Sequence, residues 1–154
     1  MDTAWNLAQD LVRIDSSDPG AYEGRIEQYI KSLVEARIAK MPAELAAAVG
    51  VEELEALPDR RNLMVTVPGT SDEPRLVYIC HMDTVTLGEG WSEGISPLGA
   101  QVIGDDLYGR GSCDMKGGLS CALSALFSLL GRVAAEKRLP RRGFSLVCSV
   151  DEED

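Results

Sequence analysis

The sequence is short of positive charge. Its 15 lysines and arginines stand against 25 aspartates and glutamates, for a net charge of -10. Nucleic-acid binding needs a basic face, so this balance argues against a nucleic-acid partner. The nearest approach to a basic block is Lys137, Arg138, Arg141 and Arg142, which fits a solvated loop after a helix. Histidine is scarcer still, with His81 the single example. The four cysteines, Cys80, Cys113, Cys121 and Cys148, show no Cys-X-X-Cys spacing, which disfavours a structural zinc finger. Cys80 and Cys148 lie in apolar runs, as buried free thiols do. Cys113 adjoins Asp114 and fits either a spacer or a metal contact. No segment has the roughly 18 uninterrupted apolar residues of a membrane span. The opening Met1-Asp2-Thr3-Ala4-Trp5 is unlike an export signal. A cytoplasmic protein without a membrane partner is the expectation. What is present is the 45% apolar, 26% charged composition of a soluble globular domain, in 154 residues.

Hydrophobic spacing divides the chain into helices and then strands. Trp5, Ala8, Leu11 and Val12 predict a helix over 3–14, and Ile26, Tyr29, Ile30, Leu33, Val34 and Ile38 a longer one over 22–39. The 16–20 segment between them is a turn cluster. Residues 43–57 are rich in helix formers and read as helical, although Gly50 weakens that reading. Strands are predicted at 63–67, 75–80 and 144–150. A small hairpin is predicted around 101–108, and a largely apolar helix over 117–130. The expected fold class is α/β, with helices packed on a mostly parallel or mixed sheet.

Three acidic motifs fall at the ends of these elements. His81 and Asp83 follow the 75–80 strand. Asp114 sits among Gly109, Gly111, Gly117 and Gly118, just before the apolar helix. Glu152 and Glu153 follow the 144–150 strand. In α/β sheets, ligand-binding residues gather beyond the carboxyl ends of strands. A helix N-terminus also favours a carboxylate. His81 and Asp83 fit a metal ligand with its orienting acid, or a pair closing a turn. Asp114 fits a ligand or a helix cap. Glu152 and Glu153 fit a base beside a ligand, or a solvated acidic turn. The glycines match neither a dinucleotide fingerprint nor a phosphate loop.

Together, His81-Met-Asp-Thr-Val85, Leu107-Tyr-Gly-Arg-Gly-Ser-Cys-Asp-Met-Lys-Gly-Gly118 and Glu152-Glu153 resemble one family. It is that of the zinc-dependent amidohydrolases and exopeptidases, which includes acetylornithine deacetylase, succinyl-diaminopimelate desuccinylase, aminoacylase and glutamate carboxypeptidase. The resemblance implies that His81 ligates one metal and Asp83 orients it. It implies that Asp114 bridges two metals, Glu152 is the general base and Glu153 ligates the second metal. The implied cofactor is one or two Zn²⁺ ions, with Co²⁺ or Mn²⁺ as alternatives. The implied reaction is hydrolysis of an amide bond in an N-acyl amino acid or small peptide. The full-length relatives suggest a homodimer.

Cys80 stands where the family often has glycine, and Thr86 where it often has proline. The family strand near 50–57 is in question here. The resemblance covers the N-terminal portion of a three-layer αβα zinc-peptidase catalytic domain. The expectation is therefore that residues 1–154 are a partial domain without the lid and the C-terminal half. Such a chain would bind metal weakly and be inactive alone, because a catalytic zinc usually keeps three protein ligands. The alternative is a non-catalytic or vestigial domain. Unpaired apolar strand edges are expected beside 76–80 or 144–150.

Overall fold

A computed structural model describes residues 3–153. Met1, Asp2 and Asp154 lie outside it, and with them part of the N-terminal signal reading and the last acid of the C-terminal run. The fold begins with α1 (Ala4–Val12), whose first turn is capped by Thr3 Oγ1 accepting the Asn6 N–H at 3.2 Å. Next come β1 (Ser17–Asp18), α2 (Gly24–Ile38), α3 (Ala43–Ala46), β2 (Gly50–Leu57), β3 (Arg60–Val67), β4 (Leu76–His81) and β5 (Thr84–Val85). The hairpin β6 (Gln101–Ile103) and β7 (Asp106–Tyr108), the long helix α4 (Lys116–Glu136) and β8 (Phe144–Ser149) complete it.

The main sheet is mixed, in the order β2-β3-β8-β4. β2 with β3 and β3 with β8 are antiparallel, and the β4–β8 ladder is parallel. Leu63, Val65 and Val67 of β3 alternate toward the helices, as do Leu146 and Cys148 of β8. They share one core with Leu11 of α1, Ile26 and Ile30 of α2, and Leu119, Leu123 and Leu126 of α4. α4 is long and apolar enough to cross a membrane by length and composition, yet its leucines are core residues of this layer. On the opposite face, Val77 and Ile79 stay exposed, so the described residues build two layers of the expected three.

One element differs in kind from the sequence reading. Residues 43–57 form only the short α3, and then the strand β2. Helix propensity is a weak prior that tertiary pairing overrides. Here β2 pairs with β3 from Gly50↔Thr66 to Leu57↔Arg60, closing a tight hairpin through Pro58 and Asp59. Asp59 takes the left-handed φ of +62° that the turn requires. The expected unpaired edge falls on β4 alone, since β8 is paired on both sides. The arginines of the basic loop are exposed, and three of them meet acids: Arg138 pairs with Glu136, and Arg141 and Arg142 with Glu73.

Candidate metal centre

The parallel β4–β8 ladder brings two of the three acidic motifs side by side, because both strands deliver their carboxyl ends to the same rim. His81 pairs with Ser149 at the end of that ladder and is buried. Its backbone N–H donates to the Met115 sulfur at 3.3 Å. Its Nδ1–H donates to the Asp83 carbonyl oxygen at 3.0 Å, which turns Nε2 to the rim, where it donates to Asp114 when the ring is protonated and offers a lone pair when it is neutral. The Asp83 carboxylate is farther from the ring, with Oδ1 3.7 Å from Nδ1. Asp83 thus orients the imidazole through its backbone. Its fully buried carboxylate holds the third motif instead: Oδ2 accepts the N–H groups of Glu152 and Glu153, each at 2.9 Å. Behind it, β1 pairs with β5, and Ser16 Oγ donates to the Met82 carbonyl at 2.7 Å.

The second motif reaches the rim through the glycine turn before α4. Gly111 has φ +77°, and a Cβ there would meet Thr84 Cγ2 at 2.7 Å. A Cβ on Gly117 would meet the Ser112 carbonyl at 2.5 Å. These positions demand glycine because backbone packs against backbone and against the β5 edge. The turn ends in a cis Asp114–Met115 peptide and sets Asp114 Oδ1 3.0 Å from His81 Nε2. The Asp114 side chain is 76% exposed. Glu152, 60% exposed, places Oε2 3.7 Å from the same nitrogen.

Ligand atoms of His81, Asp114 and Glu153 all lie within 4.8 Å of one another. Two ligands on one Zn²⁺ ion sit roughly 3.3 Å apart in a tetrahedron, so small rotations of Asp114 and Glu153 would close the set. One imidazole nitrogen and two carboxylates suit a divalent ion such as Zn²⁺, Co²⁺ or Mn²⁺. The local field agrees. Burial of the His81 ring works against its charged form. The Asp114 hydrogen bond, the Asp83 carbonyl and the charges of Asp83 and Glu152 outweigh burial and raise its pKa above the ordinary 6.5. A rim that favours a proton on His81 also favours a cation.

Two residues central to this geometry gave no signal of their own in the sequence. Lys116 is fully buried, and its Nζ donates to the Ile14 carbonyl at 2.7 Å, tying the start of α4 to the end of the first helical segment. Burial pushes its pKa down to about 8, against the opposing charge of Asp15. Arg60 lies behind the third motif and binds Asp18, Glu23 and Asp151. Cys113 is exposed and does not join the His81 group. Trp91 is anchored by donating to the Leu87 carbonyl at 2.8 Å and by the Arg110 guanidinium over its ring.

Comparison with known proteins gives concordant results. A sequence profile described as peptidase family M20/M25/M40 matches residues 77–154. A succinyl-diaminopimelate desuccinylase of Methylobacterium radiotolerans is 35% identical over 136 residues, covering 88% of this chain and 32% of that protein. An M20-family metallo-carboxypeptidase of Sulfolobus solfataricus superposes with a TM-score of 0.73 at 21% identity, over 97% of this chain and 31% of that one. A dinuclear metal-binding M20 peptidase of Bacillus subtilis superposes at 0.55 with 12% identity, over 97% of this chain and 35% of that one. At these identities the two structures establish the fold alone. The chain spans about a third of the length of each of these relatives.

Proposed function

Because the chain belongs to peptidase family M20/M25/M40, we propose that it carries the ion-binding and proton-transfer half of a metal-dependent amidohydrolase site. The proposed substrate is an N-acyl amino acid or small peptide. The name of the desuccinylase relative makes an N-succinyl diamino acid the first to test. The observation that carries this reading is the convergence of His81, Asp114 and Glu153 within 4.8 Å, with the Glu152 carboxylate 3.7 Å from the same imidazole.

A divalent ion at this rim supplies a Lewis acid for the substrate carbonyl and lowers the pKa of water. The remaining work belongs to the side chains. His81, its Nδ1–H engaged by the Asp83 carbonyl, presents Nε2 as a ligand. Asp114, reaching out from its glycine turn, and Glu153 would supply the two carboxylates of the same ligand set. The Glu152 carboxylate is exposed and accepts no backbone hydrogen bond among the described residues, so it can take a proton from water and return it to the leaving amine. Asp83 holds the backbone of both glutamates and so sets their separation from His81.

The apolar edge of β4 supports a further part of this reading. It is the seam where the remainder of a larger catalytic domain would pack, with a lid domain supplying substrate contacts.

The test is hydrolysis of N-succinyl-diaminopimelate and N-acetylornithine by the product of the complete reading frame, read as released amine. Glu152→Ala should lower kcat by about 10²–10⁴ with a smaller change in KM. Full activity in that variant would remove Glu152 from the reaction.

A further inference from the structure

The acid pair is held from the front by Asp83 and from behind by a guanidinium. Arg60 opens β3 and its side chain is 14% exposed. It meets carboxylates from three separate segments. Nη2 donates to Asp18 Oδ2 at 2.6 Å and to Glu23 Oε1, Nε donates to Glu23 Oε2 at 2.9 Å, and Nη1 donates to Asp151 Oδ1 at 2.7 Å. The Tyr22 ring covers the guanidinium with its centroid 4.8 Å away. Glu23 is buried, and its Oε1 also accepts the Asp151 N–H at 3.2 Å. Carboxylate oxygens of Asp18, Glu23 and Asp83 lie within 4.8 Å of one another. Without a cation among them, these buried acids and Asp151 would repel.

Asp151 is the pivot. It takes φ +62°, a left-handed backbone conformation that non-glycine residues adopt only when held there. Its side chain and its N–H are both fixed, by Arg60 and by Glu23. The next two residues are Glu152 and Glu153, whose N–H groups point at Asp83. Residue 151 therefore sets the direction in which the acid pair leaves β8.

We propose that Arg60 is a positioning residue of the metal centre. Its guanidinium locks Asp151 in the left-handed conformation that aims Glu152 and Glu153 at His81. This rests on the reading of Glu152 as base and Glu153 as ligand. The geometry requires arginine specifically. A planar fork can serve Glu23 side-on, Asp18 and Asp151 at once, whereas an ammonium is a single point on a flexible stem.

The test uses this chain and its Arg60→Gln, Arg60→Lys and Asp151→Asn variants. Two readouts are taken: amide hydrogen exchange resolved by residue, and titration with Zn²⁺. In Arg60→Gln, exchange at Glu152 and Glu153 should speed by about tenfold or more, while Leu146 and Cys148 in β8 keep their rates. Zn²⁺ affinity should fall about 10–100-fold, as when a residue supporting a ligand is lost. Arg60→Lys should recover only part of both. Asp151→Asn tolerates the left-handed backbone and leaves Arg60 bound to Glu23 and Asp18, but it turns the charge-assisted Arg60–Asp151 bond into a weaker one to a neutral acceptor, so it decides the matter even if Arg60→Gln does not fold. It should reproduce part of the local change. Unchanged exchange at Glu152 and Glu153, or an equal rise throughout β8, would overturn the proposal. Absence of Zn²⁺ binding in the unsubstituted chain would count against the metal reading alone, and the exchange rates would still decide Arg60.

Discussion

β4 is two regions in six residues. Its first four, Leu76 to Ile79, are exposed and apolar, with Ile79 67% exposed. Its last two, Cys80 and His81, are buried, as are Met82 and Asp83 beyond them. Both halves share the same ladder to β8, so backbone pairing does not explain the contrast. The neighbours do. The carboxyl end is enclosed by Met115, by Ser16 and by the Glu152–Glu153 loop, each fixed by a hydrogen bond. Among the described residues, no strand lies on the outer side of the amino end. The opposite edge of the sheet shows what a solvent-facing edge looks like here, since β2 carries the exposed Glu52, Glu53 and Glu55. Charge on an edge strand blocks pairing with other chains, and β4 lacks it. The polar half of β4 carries the proposed cation site, and the apolar half the proposed contact with protein.

The sharpest way to break this contrast is Asp83→Ala. It removes a buried carboxylate that accepts two backbone N–H groups. The expected loss is about 2–4 kcal/mol in urea unfolding. A loss under about 1 kcal/mol would mean that the enclosed half does not depend on this side chain. A second test concerns a buried acid that lacks such partners. Glu27 on α2 is buried, and its Oε1 has no hydrogen-bond partner among the described residues. Burial, then the hydrogen bond and charge of Glu53, push its pKa up to about 7, with Arg61 and Lys31 opposing. Between pH 4.5 and 7 the folded state therefore holds more protons than the unfolded one. The stabilisation is full below about pH 4.5 and is lost as pH rises through 7. Glu27→Gln should raise Tm by about 2–4 °C at pH 8 and give no gain at pH 4.5. Equal gains at both pH values would refute the titration. The smallest effect on stability belongs to the outer half of β4. Ile79→Lys should change unfolding by less than about 0.5 kcal/mol while reducing self-association in sedimentation. Unaltered association would show that this edge is not the adhesive surface.

The helices α1, α2 and α4 and the strand β3 are legible in the sequence because their burial is periodic, and β4 and β8 because they are apolar runs. Leu63, Val65 and Val67, for example, alternate as they pack. The three motifs are legible because each stands at an element's end, where a rim forms. β2 is not legible, because its glutamates and leucines suit a helix and only the ladder to β3, fixed by the turn at Asp59, makes it a strand. Arg60 and Lys116 are opaque for the same reason. The partners of Arg60 come from β1, from the start of α2 and from the end of β8, and no local pattern brings them together.

The central claim is that His81, Asp114 and Glu153 form one cation site. Isothermal titration of Zn²⁺ into this chain and into its His81→Ala variant tests it most directly, because His81 is the chain's single histidine. The account predicts saturable binding by the unsubstituted chain that disappears in His81→Ala. An unchanged isotherm in that variant would contradict it.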